Sequence, residues 1–405
     1  MNIKYGLISS DSHAQLDRDA FTSRMSKAKW GEQIPHVIET TDKAYMSEPV
    51  DSPVERWVVN GKVVDIRGVS NCPAVMDDPM RTYHPQRWEE VPRTVYDPIE
   101  RLKVLDSDGV DAEVLFPNPP VQNATFFQGD AALELACVQA YNDALADWRA
   151  ASERYIPLAL IPYLSGIEAT VAEAERAVKK GHRGILMVLE PSTALKGRGD
   201  LFKLSGANTA LQGLPHFNDP HWHRLWATCQ DMDVPIHWHA NGGIILQAPH
   251  WEGFTRGEEI VSLAAALFTS VPTQFLPNLI FSGVLDHYPR LKWVWAETGI
   301  GWVNYVLEAC DHEWERRHLW TEGLVTRPSE LFQRQIYGAF WFEKAGIELR
   351  HTLGLENIMW ESDYPHNTST YPDSWKFVEQ TLENVSADER KPLLYGNALQ
   401  VYKLS

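Results

Sequence analysis

Short apolar runs alternate with longer amphipathic stretches along this chain. The runs read as strands are YGLIS (Tyr5 to Ser9), AEVLFP (Ala112 to Pro117), IPLALIP (Ile156 to Pro162) and GILMVLE (Gly184 to Glu190). They continue with VPIHWH (Val234 to His239), LKWVWAE (Leu291 to Glu297), RQIYGAF (Arg334 to Phe340) and NIMWESD (Asn357 to Asp363). Most are continuously apolar and rich in β-branched or aromatic residues, as strands covered on both faces must be. Between them, Ala131 to Arg149 and Ile167 to Lys179 carry the clearest helical period, followed by Trp302 to Arg316 and Asp373 to Leu382. Eight strands separated mainly by helices predict a (β/α)8 barrel. An open doubly wound sheet is the rival. It is weakened because no G-x-G-x-x-G or G-x-x-x-x-G-K-[ST] loop follows a strand.

The stretch from about Ala14 to Pro98 breaks this rhythm. It contains WVVNGKVV (Trp57 to Val64), where Asn60-Gly61 signals a type I′ hairpin. We read it as an insertion after the first strand that folds over the barrel mouth, within a single domain covering residues 1–405. Asn241 to Thr273 is a candidate second lid element.

Composition narrows the function classes. Hydrophobic residues make up 44% and charged residues 22%, which marks a globular chain. The 16 tryptophans exceed ordinary core filling and point to an aromatic-walled pocket or to helix–sheet packing. A net charge of −17 and a pI near 5.3 argue against nucleic acid as a partner. No apolar run is long enough to span a membrane, and no charged start followed by an apolar stretch marks a secretory signal. Cys72, Cys137, Cys229 and Cys310 are scattered and suggest no disulfide framework, so a reducing cytoplasm is the expected location.

In a barrel of this kind the chemistry sits at the C-terminal ends of the strands. The first strand leads to Asp11 and His13, the fifth ends in His237 and His239, the sixth in Glu297, and the eighth in Asp363 with His366 just beyond. Asp11 and His13 are i and i+2, so on extended backbone they share a face; they make either a hydrogen-bonded surface pair or half of a metal site. His237 and His239 share a face as well, with Ile236 and Trp238 opposite, and one of the two is expected in a supporting or substrate-facing place. Glu297 is a functional acid, a helix cap or a salt-bridge partner. Asp363, in ESDYPH, is a ligand or a bare turn residue. Acids and imidazoles converging on one cavity must be paired or metal-bound, and this donor set suits Zn, Mn or Fe(II). His216, His221 and His223 surround Asp219-Pro220, which reads as a helix start and not as a second metal site. No G-x-S-x-G elbow is present.

The segments ISSDSH, YDPIERLKVLDSDGVDAEVLFPN, AYNDALADW, DVPIHWHANGG, FSGVLDHYPRLKWVWAETGIGWV, ESDYPH and GNALQVYKL cover nearly the whole chain. Through them it resembles the amidohydrolase superfamily, in the branch that includes aminocarboxymuconate-semialdehyde decarboxylase and related metal-dependent hydrolases. The resemblance implies a distorted TIM barrel with one divalent metal, Zn first, with Mn or Fe as alternatives. It places ligands on Asp11, His13, His239 and Asp363, and implies a homodimer. Two departures stand out. Many members carry H-x-H on the first strand, where this chain has Asp11. The decarboxylases usually place a proton-transferring histidine at the end of the sixth strand, where this chain has Glu297.

That second departure puts metal-assisted hydrolysis of a small aromatic or apolar carbonyl substrate (amide, ester, thioester or C–C bond) first. In that reading Asp363 is ligand and general base, Glu297 an additional ligand or acid/base group, and His237 or His366 a stabiliser of developing negative charge. Trp251, Phe254, Trp341 and Phe342 are expected to contact the substrate. Non-oxidative decarboxylation of an aromatic or unsaturated acid is the alternative. A catalytically inactive binding barrel is the third reading.

Overall fold

The amides of Lys4, Tyr5, Gly6 and Leu7 all donate to the carboxylate of Asp111, at 2.7, 3.0, 2.6 and 3.1 Å. A stretch whose N–H groups surround one carboxylate has no donors left for a ladder, so the first strand starts later than the apolar run at Tyr5 predicts. It is β1, Ile8–Ala14, and all seven of its residues are buried although five are polar. The computed structural model describes residues 1–41, 52–64, 68–118, 120, 127, 130–187, 215, 217–240, 265 and 272–404. They fall into two compact units. The first comprises Met1–Leu186, Ser362–Phe377 and Leu404–Ser405; the second comprises Met187–Glu361 and Val378–Lys403.

In the first unit, β2 (His36–Thr40), β3 (Val54–Val59) and β4 (Lys62–Val63) form an antiparallel sheet inside the predicted insertion. Asn60 and Gly61 at its tight turn have φ of 52° and 72°, the left-handed pair that a type I′ turn needs. Then come β5 (Ala112–Pro117), β6 (Tyr155–Leu160) and β7 (Gly184–Leu186), which run parallel in the order β1-β5-β6-β7. Helices Pro98–Asp108, Ala131–Ala151 and Ile167–Lys179 alternate with them. The first of these is capped at both ends. Asp97 accepts the amides of Ile99 and Glu100, Pro98 occupies a position that needs no N–H, and Gly109 ends the helix at φ 69°.

The second unit holds β8 (Ile236–His239), β9 (Trp293–Ala296), β10 (Ile336–Phe340) and β11 (Ile358–Trp360), parallel and in that order. Helices His223–Met232, Val303–Arg316 and Pro328–Gln335 accompany them. Here the tryptophans serve helix–sheet packing. Trp293 lies 5.1 Å from Trp226 on a helix and 4.9 Å from Trp238 on β8, ring centre to ring centre, and all three are buried. Among the described residues no helix is long and apolar enough to cross a membrane. Most of the expected second lid, Asn241 to Thr273, lies outside the described residues.

Candidate functional site

The first unit gathers Asp11, His13, Asp363 and His366, all buried. Two devices bring them together. The pairing of β1 with β5 slips by one residue between Ser9 and Ser12, a bulge that takes in Asp11. The segment after Glu361 is strapped to this bulge: the Asp363 amide donates to Asp11 O (2.9 Å), the His13 amide to Tyr364 O (2.6 Å) and the Ser362 amide to Ser9 Oγ (2.9 Å). Asp363 itself turns left-handed, φ 54°, a conformation costly for a residue with a Cβ and common where function holds it in place.

His13 Nδ1–H donates to Pro117 O (3.1 Å), which leaves Nε2 toward the acids, 3.3 Å from Asp363 Oδ1 and 3.5 Å from Asp11 Oδ1. His366 Nδ1 is 3.0 Å from the same Asp363 Oδ1, and its ring stacks on that of His13 with centres 3.7 Å apart. Thr368 Oγ1 donates to Asp363 Oδ2. Burial, and then the charge of Asp363, push the Asp11 carboxyl well above the carboxylate range. Burial also pushes Asp363 up, but the charges and hydrogen bonds of His366 and His13 outweigh it and hold Asp363 below the usual range. The two buried carboxyls oppose one another's charge, a conflict that a cation relieves. The spacings suit one: bonds of about 2.1 Å place donors about 3.0 Å apart at right angles and about 3.4 Å apart tetrahedrally. His13, Asp363 and His366 offer ligand atoms that all lie within 4.8 Å of one another.

In the second unit, β9 ends at Ala296 and Glu297 follows, also left-handed at φ 54°. Its amide donates to both oxygens of Glu361, at 3.2 and 3.1 Å. Its carboxylate lies 3.3 Å from His239 Nδ1. His237 is fully buried and shares a 3.0 Å hydrogen bond with the Tyr402 hydroxyl, stacked ring on ring. Trp341 is buried and Phe342 is half exposed, their rings edge to face. Trp251, Phe254 and His216 lie outside the described residues. His221 follows Asp219, whose side chain caps the short helix Pro220–Trp222, as the helix-start reading expects.

Sequence reasoning passed over Asn118, Thr368, Glu361, Arg101 and Glu113. Glu361 had a signal, since it stands two residues before Asp363. Asn118 had a weaker one, at the end of the strand that pairs with β1. Arg101, on the helix Pro98–Asp108, and Glu113, on β5, had none, because a charged side chain on either kind of element mostly faces water.

A family model described as amidohydrolase matches residues 54–404. The chain belongs to the amidohydrolase family. It is an enzyme of that superfamily. An amidohydrolase from Mycobacterium avium subsp. paratuberculosis K-10 is similar over the whole of both chains, with a TM-score of 0.69 at 17% identity. The fold is accordingly a (β/α)8 barrel, as the strand–helix alternation predicts. A dihydroxybenzoic acid decarboxylase from Polaromonas sp. JS666, solved with manganese and the inhibitor 2-nitroresorcinol, matches 78% of this chain and 89% of its own at 21% identity and a TM-score of 0.56. Among curated proteins, the decarboxylase OrsB of Emericella nidulans is 26% identical over 200 residues, 47% of this chain. The matched part spans 58% of that relative.

Proposed function

We propose that this amidohydrolase is a metal-dependent, non-oxidative decarboxylase of an aromatic or unsaturated carboxylic acid. The observation that carries it is the buried cluster of the first unit, two carboxylates and two imidazoles in which His13 lies 3.5 Å from Asp11 and 3.3 Å from Asp363, and His366 lies 3.0 Å from Asp363. The preference for decarboxylation is supported by the relatives, one a decarboxylase of a dihydroxybenzoic acid and the other named a decarboxylase. They reverse the order set on the sequence, where hydrolysis stood first. The proposed ligands are Asp11, His13 and Asp363, with His239 added on the sequence resemblance alone. Manganese is favoured by the Polaromonas structure, while Zn and Fe(II) also suit the donors.

When bound, the ion supplies positive charge to a substrate carboxylate and a neighbouring oxygen. Glu297 is the proposed proton donor to the carbon that loses carbon dioxide. Its tether to Glu361 and its neighbour His239 hold the carboxyl in one place. Phe342, half exposed, is the proposed contact for an apolar substrate face. Hydrolysis is the second reading. Glu297 itself favours it, standing where the resemblance implies a histidine.

One experiment separates the two. Protein loaded with Mn2+ is offered hydroxybenzoates and, separately, aryl esters and amides. The expected result is about one ion per chain and carbon dioxide release from an acid. Asp363→Ala should lose both metal and activity. Glu297→Gln should keep the metal and lose at least 100-fold in rate. Ester or amide cleavage without carbon dioxide release overturns decarboxylation, and full activity without metal overturns the metal reading.

A further inference from the structure

Protons can be counted around His366. The Asn118 amide nitrogen donates to Asn71 O at 3.3 Å, which turns its oxygen toward His366 Nε2 at 2.9 Å. An amide oxygen only accepts, so His366 holds a hydrogen on Nε2, and in the neutral ring that an ion requires Nδ1 is the lone-pair nitrogen. That Nδ1 lies 3.0 Å from Asp363 Oδ1, another acceptor. His13 repeats the arrangement: Pro117 O fixes a hydrogen on Nδ1, and Nε2 lies 3.3 Å from the same oxygen. The two rings stack with centres 3.7 Å apart, and each offers a ligand atom within 4.8 Å of the other's and of the Asp363 carboxylate. One divalent ion fits among these three ligand atoms.

We propose that His366 supplies Nδ1 as a ligand to the ion and that Asn118 is the positioning residue that keeps this nitrogen bare. The proposal rests on the metal reading above and adds a ligand to it. Two consecutive residues at the end of β5, Pro117 and Asn118, then set the proton position of both imidazoles. Orienting contacts of this kind typically change metal affinity 10- to 100-fold.

The test uses Mn2+ alone with the full chain. Affinity is read by chelator competition, and histidine nitrogens on the ion are counted by pulsed electron paramagnetic resonance. His366→Ala should lose one imidazole coupling and bind at least tenfold more weakly; His366→Gln makes the same point if the alanine variant does not fold. Asn118→Leu should weaken binding about tenfold or more. Asn118→Asp, which keeps an acceptor facing Nε2–H, should retain most of the affinity. If His366→Ala and His366→Gln keep the wild-type couplings and affinity while His13→Ala loses both, His366 is not a ligand and this proposal alone falls. If the wild-type protein binds no Mn2+, the metal reading falls with it.

Discussion

Arg101 is fully buried and grips Glu113 with two hydrogen bonds, Nε to Oε1 at 2.9 Å and Nη2 to Oε2 at 2.8 Å. Its guanidinium also lies 3.8 Å from the centre of the Tyr364 ring, and its Nη2 reaches toward His13 O and Tyr364 O at 3.4 and 3.5 Å. A buried pair adds little to stability against an apolar pair of the same shape, but half of one is costly. Arg101→Met should therefore cost about 3–5 kcal/mol in urea unfolding, and Arg101→Met with Glu113→Leu should regain most of it. A double variant as unstable as the single one would show that the carbonyl and ring contacts, and not the ion pair, hold the value. These two residues mark where residue-level reading stopped. Asp11, His13 and Asp363 were legible because acids and imidazoles at strand ends are chemically conspicuous. Arg101 was not, because its burial depends on Tyr364, far away in the chain.

The strands were legible as elements but not at their ends. AEVLFP is β5 residue for residue, whereas NIMWESD yields only Ile358–Trp360. The apolar period locates a strand, and tertiary hydrogen bonds end it. The amides before β1 go to Asp111, and the chain turns left-handed at Glu297 and at Asp363. The bulge in β1 was equally hidden, since its support comes from Ser362. Ser9 Oγ donates to Asp11 O at 2.6 Å, accepts the Ser362 amide at 2.9 Å, and meets the hydroxyls of Ser12 and Ser362 at 3.2 and 3.1 Å. Removing that oxygen leaves the buried Ser362 amide without this acceptor, a loss of about 1–3 kcal/mol. Ser9→Ala should lower the melting temperature and weaken Mn2+ binding about tenfold, because the bulge aims Asp11 and the strap aims Asp363. Wild-type metal affinity in a destabilised Ser9→Ala protein would mean that the strap holds the fold without aiming the ligands.

Across the whole molecule, an acidic chain with a net charge of −17 still buries carboxyl groups away from the proposed ligands. Burial pushes Glu134 and Glu343 up to about 7 and Asp108 up to about 6. Glu134 accepts the amides of Tyr163 and Leu164 at 3.0 and 2.7 Å, which offsets only part of the effect of burial. The ordinary value for a glutamate here is 4.5, so between that pH and about 7 the folded chain keeps a proton that the unfolded chain has released. Fewer protons bound on unfolding means stability falls as pH rises through this window, by about 1.4 kcal/mol for each pH unit crossed. Self-repulsion of a negative chain acts in the same direction, so the raw stability curve assigns nothing to one residue. A difference does. Wild-type protein should lose on the order of 3 kcal/mol relative to Glu134→Gln as the pH is raised from about 4.5 to 7. Below that window the glutamine variant should be the less stable of the two, because its amide oxygen has to serve both backbone donors. Parallel urea-unfolding curves for the two proteins across this range would show that Glu134 is ionised in the folded chain throughout, and that the two amides outweigh its burial.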